Sequence, residues 1–97
     1  MKEYSLEFDD RALREWDALD SSVKKKFEKK LEKLIWHPHS PGNELHHDLS
    51  GFYKIKLLKD GYRLVYQVID ERIVIYVIAI GHRAANKIYE LASKRTV

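Results

Sequence analysis

Lys54, Lys56, Arg63 and Arg83 are the residues whose type and spacing could do chemistry. Lys54 and Lys56 alternate within Tyr53-Lys-Ile-Lys-Leu57, and Arg63 follows an Asp60-Gly61 pair that reads as a hairpin turn. With Asp60 and Gly61 as the two central turn residues, Lys59 faces Tyr62 and paired residue numbers sum to 121. One face of the two strands then carries Tyr53, Ile55, Leu57, Tyr62, Leu64, Tyr66 and Val68, fit to pack on helices. The other carries Lys54, Lys56, Leu58, Arg63, Val65 and Gln67, with Arg63 diagonal to Lys56 toward the turn. Arg83 falls just past the end of a later strand and toward the same end of the sheet as Arg63. No Asp or Glu shares that face, so the cations repel one another unless an anion sits among them. The plain alternative is the solvated side of a one-sided sheet. Four cations without an acid favour a phosphate.

Other constellations are weaker. His37, His39, His46, His47 and His82 have no acidic or cysteine partner at ligand spacing, so they are read as surface histidines and no metal is expected. Four glycines show no phosphate-loop spacing, and no Ser-His-Asp arrangement can be argued. Lys24, Lys25, Lys26, Lys29, Lys30 and Lys33 are either a solvated helix face or a second contact to a polyanion. Tyr89, beside Ile88, reads by itself as a packing residue.

The elements that must position these residues follow from length and periodicity. Ninety-seven residues suffice for one domain, residues 1–97, and 44% apolar with 34% charged side chains excludes extensive disorder. The absence of cysteine excludes disulfides, thiolate catalysis and thiolate zinc sites. The apolar run at 73–80 is far short of a membrane span, and a cytoplasmic chain without a membrane partner is expected. Residues 51–97 carry nine Lys and Arg against four acids, a net +5 that points to an anionic partner.

Alternation of Tyr4, Leu6 and Phe8 predicts a strand over 2–8. Asp9 or Asp10 caps a short helix ending near Asp20, and Ser21 or Ser22 caps a longer one bounded by Pro38. Residues 37–51 read as a loop. Three strands follow at about 52–59, 62–69 and 72–80, joined by Asp60-Gly61 and Asp70-Glu71. The last strand is apolar on both faces, ends at Gly81, and has the first strand on its far side. A helix over 84–94 buries Ala85, Ile88, Leu91 and Ala92. The expected fold is α+β, ordered β-α-α-β-β-β-α: a mainly antiparallel four-stranded sheet with an N-terminal helical hairpin and a C-terminal helix.

The segments Leu6-Glu-Phe-Asp-Asp-Arg-Ala-Leu-Arg-Glu-Trp16, Tyr53-Lys-Ile-Lys-Leu57, Gly61-Tyr-Arg-Leu-Val-Tyr-Gln-Val-Ile-Asp70 and Gly81-His-Arg83, with Tyr89 beyond, closely resemble the RelE family of toxins over nearly the whole chain. The resemblance implies a RelE/ParE-like fold and an endoribonuclease that cuts messenger RNA in the ribosomal A site, inhibiting translation. A ribose 2′-hydroxyl attacks the adjacent phosphate and leaves a 2′,3′-cyclic phosphate and a 5′-hydroxyl, without metal or other cofactor.

The family's catalytic positions match Lys54, Lys56, Arg63, Arg83 and Tyr89. Lys56 is then the base, Lys54 and Arg63 hold the phosphate, Arg83 supports the leaving group electrostatically, and Tyr89 stacks on or orients a base. A lysine base needs a lowered pKa, and clustered like charges push in that direction. Lys24, Lys25, Lys29 and Lys33 of the long helix, and His82, would meet ribosomal RNA or the message. His82 replaces a common family lysine, and either weakens RNA contact or shares in proton transfer; Ala84-Ala85 replace charged residues, and the Glu44–Gly51 loop departs from the common pattern. Implied partners are a cognate RelB-like antitoxin, the 70S ribosome and messenger RNA, with a monomeric free toxin that oligomerises with its antitoxin. The alternatives are a gyrase-poisoning toxin on the same fold and a non-catalytic RNA-binding module.

Overall fold

A computed structural model describes residues 2–45, 51–57, 59–82 and 87–95. The elements run β1 (Ser5–Phe8), α1 (Asp10–Asp17), α2 (Ser21–Leu34), β2 (Phe52–Leu57), β3 (Tyr62–Ile69), β4 (Val74–His82) and α3 (Lys87–Arg95). This is the expected order. The sheet order is β1-β4-β3-β2, with β1 parallel to β4 and the other two pairings antiparallel. β4 therefore lies inside the sheet, which is why it is apolar on both faces.

β1 is shorter than alternation predicts. Its ladder starts at Ser5, whose partner Val74 is the first residue of β4, so residues 2–4 have no strand beside them. Asp9 caps α1 through a side-chain bond from the Arg11 amide at 2.9 Å, and the helix stops at Asp17 rather than near Asp20. Asp20, not Ser21 or Ser22, is the N-cap of α2, because both serines already lie within the helix.

Both hairpin connections are longer than two residues. Leu57 pairs with Tyr62 and Ile69 with Val74, leaving 58–61 and 70–73 between the strands. Each connection ends on a residue with positive φ, Gly61 at 72° and Ile73 at 55°. Gly61 tolerates this because it lacks a Cβ, whereas Ile73 is a β-branched residue in a strained conformation. β4 also runs on through Gly81 to His82, because these residues continue to pair with Arg63 and Tyr62. Gly81 does not end it.

The predicted core face is found. Tyr53, Ile55, Leu57, Leu64 and Tyr66 pack with Ala12, Val23, Phe27 and Leu31 of the helical hairpin, with Tyr62 and Val68 at the margin. Trp16 bridges the layers, its ring 5.6 Å from Phe8 and 6.3 Å from Phe27. A second, smaller core lies on the opposite face, where Phe52, Val65, Ile78 and Ala79 pack against Ile88 and Ala92 of α3. A β-bulge at Val65/Tyr66 adds to it: Val65 pairs with Ala79 but Tyr66 with Val77, so Ile78 joins Ala79 on the α3 side. Leu91, expected on the buried side of the last helix, is 39% exposed because Ile88 and Ala92, with Tyr89 beside them, make the contact; Ala85 lies outside the described residues. A Cβ at Gly81 would stand 3.5 Å from Ile88 Cδ1, an ordinary van der Waals contact, so β4 and α3 pack closely at this point.

Candidate active site

β2 and β3 place Lys54, Lys56 and Arg63 on the face that α3 partly covers. The register puts Lys56 directly opposite Arg63, and Lys54 opposite Val65. Arg63 is thus a cross-strand partner of Lys56, not the diagonal neighbour predicted from a two-residue turn. The longer connection shifts pairing by two residues, which preserves the faces and changes the partners.

Like charges opposed across an antiparallel pair are destabilising, and no ion pair with a described carboxylate relieves these three. Lys54 lies between Phe52 and its partner Val65, both in the core under α3. Burial there, and next the Lys56 and Arg63 cations, pull the Lys54 ammonium below its usual pKa. Arg63 Nη1 is buried and has no hydrogen-bond partner among the described residues. An arginine N–H without a partner among the described residues is a poor arrangement for stability, and the guanidinium charge it belongs to is complementary to an anion.

His82, at the end of β4, faces Tyr62 with ring centroids 4.2 Å apart, and its side chain is exposed. Tyr89 is half-buried and packs against the smaller core, so α3 brings it to the face that carries the cations. Arg83, the fourth predicted cation, lies outside the described residues, as do His46, His47 and most of the Glu44–Gly51 loop.

A groove of about 440 Å³ opens along the outer edge of β2, and its lining includes Lys54, Lys56, Lys30, Lys33, Ser40 and Asn43. Of the lysines predicted to meet RNA, Lys33 joins this groove; Lys24, Lys25 and Lys29 are not among its lining residues. Lys30 was missed as a member of the site, although the i, i+4, i+7 spacing of Lys26, Lys30 and Lys33 marks them as one helical stripe. A larger hollow of about 730 Å³ beside β1 is rimmed by Glu3, Glu28 and Glu32, which repel an anion. No group of His, Asp and Glu able to hold a metal occurs among the described residues, and none of their helices is long and apolar enough to cross a membrane.

The comparisons with known proteins agree with this geometry. The family described as "ParE toxin of type II toxin-antitoxin system, parDE" matches residues 6–86. The mRNA interferase toxin RelE of Escherichia coli K12 is 47% identical over 92 residues, covering 95% of this chain and 96% of its own. A mutant E. coli RelE toxin solved in the free state superposes with a TM-score of 0.88 at 45% identity, over 98% of this chain and 99% of that one. RelE in the intact E. coli RelBE toxin-antitoxin complex gives 0.78 at 48% identity, over 81% and 95% of the two chains. With its cations gathered on one face of this sheet and its likeness running through nearly every element, the chain belongs to the RelE/ParE family of type II toxins.

Proposed function

We propose that this chain is the toxin of a toxin-antitoxin pair and an mRNA interferase that cuts messages in the ribosomal A site. The observation that carries the reading is Lys56 opposite Arg63 with Lys54 beside them, a cationic cluster with no described carboxylate paired to it. Such a cluster is complementary to a phosphate whose charge grows during reaction.

In this reading the 2′-oxygen attacks the adjacent phosphorus, the bond to the 5′-oxygen breaks, and a 2′,3′-cyclic phosphate remains. The hydroxyl proton passes to the lysine pair. Lys56 occupies the family's base position, and Lys54, whose free amine is favoured by burial and neighbouring cations, can accept the same proton. Arg63 holds the phosphorane with its positive charge. Arg83 adds positive charge at the leaving oxygen, His82 can supply the proton that oxygen takes up, and Tyr89 stacks on or orients a base. Every step uses protein groups alone. Amines and guanidinium are weak acid and base catalysts, so the ribosome must fix the RNA geometry for them, and free RNA is left largely uncut. A RelB-like antitoxin is the expected partner, supported by the RelE structures that contain RelB.

The deciding experiment incubates the protein, in EDTA-tolerant conditions, with message either free or bound to ribosomes with an empty A site, and maps the new ends. Cleavage only on the ribosome, with cyclic-phosphate ends, supports the reading. Intact message in both samples refutes it and favours gyrase poisoning, the alternative open to a chain that matches the ParE family description.

A further inference from the structure

The β2-edge groove holds more positive charge than one phosphate needs. α2 carries Lys26, Lys30 and Lys33 along one stripe, and the structure treats them differently. Lys26 Nζ is 2.7 Å from Asp60 Oδ2 at the hairpin tip and is neutralised there. Lys30 and Lys33, both exposed, form no ion pair with a described carboxylate and line the groove with Lys54 and Lys56. No acid is among the groove's lining residues.

The third wall is built to donate. Asn43 is fixed by its backbone, whose carbonyl accepts from the Lys54 amide at 3.0 Å. Its side-chain nitrogen donates to Ser40 Oγ at 2.9 Å, which leaves the Ser40 hydroxyl hydrogen free for another acceptor. Four ammonium groups and a hydroxyl donor therefore converge on one open trough whose floor includes Leu34, Ile55 and Tyr66. An RNA strand carries a charge at every nucleotide, so a strand held at one phosphate must lay its neighbours along the same surface.

We propose that this groove is a second phosphate site, in which Lys30 and Lys33 take a phosphodiester of the message adjacent to the one that is cut. The inference rests on the reading that the scissile phosphate sits among Lys54, Lys56 and Arg63. It assigns Lys30 and Lys33 to the substrate strand itself, and not to ribosomal RNA.

The test uses ribosomes programmed with messages in which single phosphates flanking the cut are replaced by neutral methylphosphonates. Single-turnover cleavage is measured for the wild-type protein and for Lys30→Gln/Lys33→Gln. At one flanking position the neutral linkage should slow the wild type about tenfold and slow the variant hardly at all, because each change removes the same contact. Equal slowing of both proteins at every position overturns the proposal and places the lysines on ribosomal RNA.

A second arm needs no cleavage. Binding to a short single-stranded RNA with a 2′-deoxy residue at the cut is followed by anisotropy against salt. Loss of one phosphate contact should make the variant's log-log slope shallower by about 0.7, while Lys26→Gln leaves it unchanged. Identical slopes for the wild type and the double variant overturn the proposal. If the wild type fails to cut messages on ribosomes, the proposed function falls, and the salt slopes still decide whether the groove binds RNA phosphate.

Discussion

Arg95 in the last turn of α3 grips Glu15 of α1 with both prongs, Nη1 at 2.8 Å from Oε1 and Nη2 at 3.0 Å from Oε2. The pair also finishes a strand edge. β1 accompanies β4 only as far as Val77; beyond it, Arg95 Nη1 donates to the Ile78 carbonyl at 2.9 Å, and the Ile80 amide donates to Glu15 Oε1 at 3.1 Å. Two side chains thus supply what a neighbouring strand would, and they tie α3, with Tyr89, to the sheet.

Arg95→Ala should lower stability by about 2–4 kcal/mol in urea unfolding, because it strands a half-buried carboxylate and a strand carbonyl. Glu15→Gln keeps an acceptor for the Ile80 amide and should cost less. Hydrogen exchange in 87–95 should rise in both variants before that of α2 does. A loss under about 0.5 kcal/mol for Arg95→Ala would mean the clamp is dispensable.

Lys56→Ala should raise stability while lowering activity. Removing one of two like charges directly opposed across β2 and β3 relieves about 0.2–1 kcal/mol of repulsion. The same substitution removes the proposed base, so single-turnover cleavage should fall by about 100-fold or more. Thermal melts and cleavage rates on one preparation check both signs.

The lowered Lys54 pKa predicts a pH profile. Cleavage should rise with pH and level off once the amine is free, at a pH below that of an ordinary lysine. Arg63→Gln takes away one of the cations that disfavours the ammonium, so the rising limb should move to higher pH, toward 10.5. Folding responds with the opposite proton count from a paired lysine. The unfolded chain holds the Lys54 proton more tightly, so its contribution to stability increases as pH rises from the lowered value to 10.5. A limb that stays in place in Arg63→Gln would remove Lys54 from proton transfer.

Ile73→Gly should stabilise the fold. The left-handed conformation at φ 55° costs a β-branched residue about 1–2 kcal/mol, part of which is lost again to the greater freedom of glycine in the unfolded chain. A net gain of about 0.5 kcal/mol in urea midpoint analysis is expected, and a loss would show that Ile73 packs better than its half-exposed side chain implies.

The strand faces were legible because parity survives an error in register. Pairing Lys56 with Arg63 in place of Val65 shifts the strands by two, and every side chain stays on its predicted side. Turn length was not legible, since Asp60-Gly61 fits a two-residue turn as well as the end of a four-residue one. The α3-covered core was missed for a related reason: the bulge at Val65/Tyr66 breaks alternation where Ile78 and Ala79 turn the same way. The Arg95–Glu15 clamp joins residues 80 apart in sequence, and no local period announces such a pair. Lys30 stood in plain view as part of a lysine stripe, but only the position of Asp60 separates it from Lys26.

β2 is the last strand of the sheet, and its two halves are protected differently. Near its start, Leu45 donates to the Phe52 carbonyl, Glu44 bridges Tyr53, and the Lys54 amide donates to Asn43. Toward Leu57 no such neighbour is present among the described residues, and Lys56 stands there. An open edge invites strands from other copies, and edge-to-edge association here would bring the lysines of two chains face to face. The charge proposed to bind RNA also opposes such edge-to-edge association, so neutral variants of the cluster should aggregate more readily even where they melt later.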